Sequence, residues 1–231
     1  MTSAIVDTNT TGFNFSAPSI PSEVATHYLS LLERLGPEKN APGFAVPTVG
    51  LTSCYSGEGV STVAANLAIT AATTSNRDVL LVDANFARPS LRRAFQTPPG
   101  PGLAEILLED RQWGSGVQPS SFPRLSLMTT GTRPADFAQA FDSDALGPVV
   151  DQLREAFDLV VFDLPPAGQV ACCTRFARLL DGVLLIVEAE RVRREVALRT
   201  TELLRRGNVH LLGAVMNKQI QHVPDWLYRT L

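Results

Sequence analysis

Residues 48–68 read TVGLTSCYSGEGVSTVAANLA, and their order decides the fold. Thr48 to Ser53 is an apolar run suited to a buried strand. Cys54 to Gly59 is a glycine-bearing turn, and from Val60 the pattern becomes a helix that opens with Ser61 and Thr62. Such a turn makes an anion site, because glycine lets backbone N–H groups face inward and the helix start adds unpaired donors and a partial positive charge. The usual form, GxxxxGK followed by Ser or Thr, also puts a lysine ammonium on the β and γ phosphate oxygens. Here Gly57, Glu58, Gly59, Ser61 and Thr62 suit the cradle, but Val60 stands at the lysine position and Cys54 at the first glycine. Anything bound there is bound without that ammonium.

The rest of the chain must supply a core around this turn. With 231 residues, 45% of them hydrophobic, one soluble domain can bury itself fully. A net charge of −3, with acids and bases interleaved, gives no strong field for nucleic acid or an anionic membrane. Nucleic acid is therefore not an expected partner. Three cysteines, Cys54, Cys172 and Cys173, form no CxxC pair, which fits structural thiols in a reducing compartment. There is no leader pattern and no apolar run near the roughly 20 residues that cross a bilayer, so the expected location is the cytoplasm.

Met1 to Pro21, rich in Ser, Thr, Ala and Asn, reads as a flexible N-terminal arm (1–21). Residues 22–219 read as one domain and 220–231 as a C-terminal tail. Ser22 to Leu35 has helical spacing in Val24, Tyr28, Leu31, Leu32 and Leu35, stopped by Gly36 and Pro37. Further strands are expected at 78–85, 125–129, 159–163, 182–187 and 211–216. Helices are expected near 91–95, 103–109, 145–157, 174–180 and 194–206, with 111–123 an irregular loop. Helices alternating with strands that are apolar throughout predict an α/β fold, a doubly wound and mostly parallel sheet. Its site belongs at the carboxyl ends of the strands.

Those ends carry the polar groups. The strand after the phosphate turn ends in Asp83 and Asn85, that at 159–163 in Asp163, and the last in Asn217 and Lys218. An apolar strand closing on Asp beside a phosphate turn suits magnesium, with Ser61, Asp83 and Asp163 as candidate ligands and Asp83 and Asp163 as candidate catalytic acids. His27, His210 and His222 lie on unrelated elements and make no metal site. Arg191, Arg193, Arg194, Arg199, Arg205 and Arg206 read as the solvated face of one helix.

The order of TSCYSGEGVSTVAANLA, VLLVDANFARPSL, GLAEIL, FDLVVFDLPP and LLGAVMNK resembles the cytoplasmic bacterial tyrosine kinases of capsular and exopolysaccharide export. These belong to the MinD- and ParA-like P-loop ATPases. The resemblance covers about Ser22 to Lys218. It implies a P-loop NTPase fold, ATP or ADP with magnesium as cofactors, and Arg88 and Asn217 as nucleotide-binding residues, Asn217 near the base. It also implies a polysaccharide co-polymerase-type membrane adaptor as partner, which would bring the chain to the membrane, and a homo-oligomer.

The departures from that family fall on charge and on contacts. Val60 replaces the lysine, Asn85 the second acid of an Asp-x-Asp pair, and Ala87 a basic residue. The only lysines are Lys39 and Lys218. A lost charged hydrogen bond costs about 1.5–3 kcal/mol, which weakens nucleotide binding, whereas a lost donor to the transition state costs about 10²–10³ in rate. The expectation is a degenerate kinase-like protein that regulates or scaffolds, with impaired phosphoryl transfer. Two alternatives stay open: an active kinase or ATPase using an arginine such as Arg88 or Arg175, and a MinD/ParA-type positioning ATPase. The ring-contact motif is not retained, since Thr26 and Leu29 stand where its arginines belong after Glu23. The tail has a single tyrosine, Tyr228, and Trp226, Leu227 and Leu231 beside it read as an apolar plug.

Overall fold

The computed structural model describes residues 4–6, 22–36, 46–132, 137–170 and 172–219. The expectations for the C-terminal tail, Tyr228 included, and for most of the arm lie outside these residues.

Among the described residues eight strands form one sheet in the order β1-β8-β7-β2-β6-β3-β5-β4: β1 (Ala4–Val6), β2 (Thr48–Ser53), β3 (Val79–Asp83), β4 (Val117–Pro119), β5 (Leu125–Met128), β6 (Leu159–Asp163), β7 (Gly182–Glu188) and β8 (Leu211–Asn217). Every pairing is parallel except β4 with β5 at the edge. The central strands β2, β3 and β6 are buried along their whole length, as their unbroken apolar runs require.

Helices α1 (Ser22–Leu35) and α2 (Val60–Thr74) cover one face. The other carries α4 (Leu103–Leu108), α5 (Phe137–Phe141), α6 (Leu146–Ala156), α7 (Cys173–Ala177) and α8 (Arg194–Arg206), with the short α3 (Leu91–Ala94) at the end of the sheet. Alternate strand residues serve the two layers: Val79 and Leu81 join the first core, Leu80 and Val82 the second. Helix α2 is buried almost all round, and its alanines let it lie close on the sheet. Tyr28 of α1, fully buried, accepts a hydrogen bond from Asn66 of α2 at 3.3 Å, which fixes α1 against it.

Three pieces differ from the sequence reading. Ala4–Val6 pairs with β8, inside the stretch read as an unstructured arm. The loop at 111–123 holds a 3-10 turn (Trp113–Gly116) and β4. Helix α5 lies in a stretch to which the sequence reading gave no element. Each is five residues or fewer, too short to show a period. The GLAE segment is structural: the buried Glu105 accepts from the Gly102 N–H at 2.9 Å and from the Thr132 N–H at 2.8 Å, tying α4 to the end of β5.

The crossovers that leave β2 and β6 run to opposite sides, so the order of strand addition changes side at the β2/β6 junction. Strands β6, β3 and β5 lie to one side of β2, and β7 and β8 to the other. The phosphate turn leaves β2 at that point, where a doubly wound sheet opens a crevice.

Candidate functional site

Between β2 and α2 the chain turns at two left-handed glycines, Gly57 and Gly59, each at φ 90°. A side chain at Gly59 would be strained there and would also meet the Asn217 amide, 2.2 Å from an added Cβ. Side chains shape the turn. The Tyr55 N–H donates to Glu58 Oε1 at 2.7 Å and the Ser56 N–H to Gln169 Oε1 at 3.1 Å. Helix α2 then begins at Val60 with no side-chain cap, so its first-turn N–H donors face the opening. The Val60 side chain is buried and joins the first core, forming apolar wall where an ammonium is usual.

Two carboxylates lie beneath. Asp83 and Asp163 are register partners on adjacent strands, and both are fully buried. Asp83 is well supplied with donors: it accepts from the backbone N–H groups of Asn85 at 3.1 Å, Ser90 at 2.9 Å and Leu91 at 3.0 Å, which anchors the start of α3. Burial still pushes its carboxyl up to about 6 against those three donors. Among the described residues neither oxygen of Asp163 has a hydrogen-bond partner. Burial, then the neighbouring Asp83, hold Asp163 well above the ordinary carboxylate range. Ser61 works the other way, its hydroxyl standing close by without closing a hydrogen bond.

Over this floor opens a cavity of about 460 Å³ lined by Ser53, Ser56, Gly57, Gly59, Val60, Ser61 and Thr62 on the loop side. Opposite stand Asn85, Arg88, Pro89, Ser90 and Arg93, with Leu164, Pro166 and Lys218 completing the wall. The lining includes three cations and no carboxylate. Arg88 reaches across it, Nη1 donating to Ser56 Oγ at 2.9 Å. Arg175, the other arginine considered from sequence, pairs with Asp142 and does not line this cavity. Asn217 is buried beside the loop, its Nδ2 donating to the Glu58 carbonyl at 2.9 Å.

Sequence reasoning missed four contributors. Gln169 and Arg93 had been singled out by no pattern. Glu188 and Arg191, at the end of β7 and just after it, hold the outside of the loop together with Lys218. Arg191 precedes α8 and bonds the Ser56 carbonyl at 3.3 Å, so it is not part of a solvated helix face as the arginine run suggested. The available signal was that β7, like β3 and β6, ends in a charged residue at the same sheet edge.

An anion-cradling turn at a helix start, above paired strand-end carboxylates at the crossover of a parallel sheet, defines a nucleotide-binding P-loop NTPase. A family model described as ParA: NUBPL iron-transfer P-loop NTPase matches residues 46–227. The chain belongs to these ParA-like P-loop NTPases, and among them to the bacterial tyrosine-kinase family. The tyrosine-protein kinase YwqD of Bacillus subtilis is 34% identical over 170 residues, covering 74% of this chain and 71% of YwqD. The succinoglycan biosynthesis transport protein ExoP of Rhizobium meliloti is 30% identical over 74% of this chain, which spans only 22% of ExoP. The crystal structure of the chimerical protein CapA2B2 superposes with a TM-score of 0.79 at 25% identity, covering 94% of each chain.

Proposed function

We propose that this chain is a nucleotide-binding regulator or scaffold in exopolysaccharide or capsule biosynthesis, with phosphoryl transfer impaired. The observation that carries this reading is the mismatch within the cavity. The cradle is formed, with Gly57 and Gly59 both at φ 90°, while Val60 and Asn85 line it where a lysine and an acid serve the chemistry.

The residues present suit magnesium. Asp163 offers two buried oxygens without a hydrogen-bond partner and Ser61 a hydroxyl at the helix start, with the Asp83 carboxylate behind. Magnesium needs only one or two protein ligands, since phosphate and water fill the rest of its shell. When bound it would neutralise phosphate charge. The chain itself contributes first-turn N–H groups on the phosphates and the Arg88 guanidinium across the opening. Asn85 presents an amide, which neither accepts a proton from an acceptor hydroxyl nor carries charge. Binding therefore keeps most of its contacts while transfer loses its base and its ammonium.

The Arg88–Ser56 contact supports a second reading, an active kinase or ATPase in which Arg88 supplies the missing cation. The experiment is calorimetry of ATP and ADP, with and without magnesium, on the wild type and on Val60→Lys, followed by labelled ATP. Magnesium-dependent binding with negligible turnover is expected. Robust turnover abolished by Arg88→Ala would replace the first reading with the second, and no binding by the wild type would remove both. As partner we propose a co-polymerase-type membrane adaptor, consistent with the similarity to ExoP. Among the described residues no helix is long and apolar enough to cross a membrane.

A further inference from the structure

An anion cradle works only if its N–H groups point in, and then its carbonyls point out and need partners of their own. In this protein three consecutive outward carbonyls are taken by three side chains from the β7–β8 edge. Arg191 Nη2 donates to Ser56 O at 3.3 Å, Lys218 Nζ to Gly57 O at 2.7 Å, and Asn217 Nδ2 to Glu58 O at 2.9 Å. Glu188 joins the two cations: its Oε2 lies 2.7 Å from Arg191 Nη1 and 3.3 Å from Lys218 Nζ. The donors are aimed by their own backbone. Glu188 and Asn217 are register partners at the ends of β7 and β8. The chain then turns through left-handed Glu190 (φ 61°) and Lys218 (φ 55°), conformations that residues with side chains adopt at a cost.

We infer that Glu188, Arg191 and Lys218 are positioning residues that hold the phosphate loop in its anion-binding form from outside. The usual lysine charges the interior of the loop. Here Val60 leaves the interior without that charge, and the rim supplies bracing alone. Lys218 completes the cavity wall, but its ammonium sits on the Gly57 carbonyl and is charge-paired with Glu188, which offsets its field on the phosphates. The bracing is charge-assisted and only half screened, since Glu188 is 17% exposed and Lys218 36%. The inference rests on the nucleotide-binding reading only for its affinity arm.

The test uses the full chain as Lys218→Met, which keeps the stem and removes the ammonium, Lys218→Arg, which restores a cation, and Glu188→Gln. Amide hydrogen exchange of residues 55–60 is followed without ligand, alongside affinity for ADP and for inorganic pyrophosphate. Lys218→Met and Glu188→Gln are expected to speed loop exchange and weaken both ligands by a similar factor, about tenfold. Protection in β2 and β6 should be untouched, and Lys218→Arg should behave nearly as the wild type. Unchanged loop exchange in both charge-removing variants overturns the inference. So does a loss confined to ADP, which would make Lys218 a direct contact of ribose or base. Failure of the wild type to bind either ligand removes the nucleotide reading, while the exchange measurement still decides the bracing.

Discussion

On the floor of the cavity Asp83 and Asp163 lie side by side with no cation paired to either among the described residues, whereas on the β7–β8 rim Glu188 lies between Arg191 and Lys218. Both regions hold charge at strand ends, but on the rim the carboxylate is paired with two cations, leaving one net positive charge, and on the floor neither carboxylate has such a partner among the described residues. A charge cluster whose anion is paired within it serves to fix geometry. One that is buried and unbalanced stores a demand that a ligand can meet. The rim is therefore complete without ligand, and the floor is where ligand binding and stability are coupled.

The largest effect should come from returning the missing charges to the interior. Val60→Lys combined with Asn85→Asp is expected to raise transfer from labelled ATP by about 10²–10³-fold. No rise would mean that the rim or Arg88 already supplies that charge, and the contrast between rim and floor would fail. Asp163→Asn keeps a polar group in place but removes the like charge beside Asp83, and should raise the urea midpoint of the ligand-free protein at neutral pH. The same change should remove the magnesium dependence of ADP binding. Gly59→Ala places a methyl against the Asn217 amide at φ 90°, and a loss of about 1–3 kcal/mol is expected from backbone strain. An unaffected unfolding midpoint would show that rim and loop are not tightly fitted.

A subtler effect is on pH. Burial raises the folded pKa of Asp83 to about 6, above its unfolded value near 3.9, so between those values the native state holds more protons than the unfolded one. Ligand-free stability contributed by this group should therefore be full below about 4 and fall as pH rises towards 6 and beyond. Asp163, shifted the same way, extends the loss upward. Magnesium with ADP should flatten that slope, and a melting-temperature series against pH with and without ligand checks it. The smallest effect belongs to an exposed pair far from either region. Arg206→Ala, which breaks a contact with Glu202 whose side chains are 77% and 53% exposed, should leave the melting temperature unchanged.

Much of the floor was legible in sequence because it is encoded locally. An apolar run ending in Asp marks both a buried strand and a carboxylate at its carboxyl end, and Asp83 and Asp163 follow from that. The periodic helices are seen at Ser22–Leu35 and Arg194–Arg206, as their spacing predicts. The rim was not legible. Arg191 and Lys218 reach the loop across 135 and 161 residues, and no local pattern distinguishes a guanidinium on a loop carbonyl from one in water. Arg88 and Arg175 looked alike in sequence and part in the fold, one on Ser56 and one on Asp142. Short elements such as β1, β4 and α5 owe their form to their neighbours rather than to a pattern of their own.

The central position of β2 also bears on how the protein is made. Leu51 pairs with Asp163 and Val49 with Gly182, so the strand that launches the phosphate loop has no sheet neighbour until more than a hundred further residues have been synthesised. Lys218 follows Gly57 by 161 residues. At about 5–20 residues per second, the nascent chain carries that loop unbraced for roughly ten to thirty seconds. During that interval an apolar strand stands unpaired, a natural substrate for a ribosome-associated chaperone. The loop can take its braced form only after nearly the whole of the described sheet has left the ribosome.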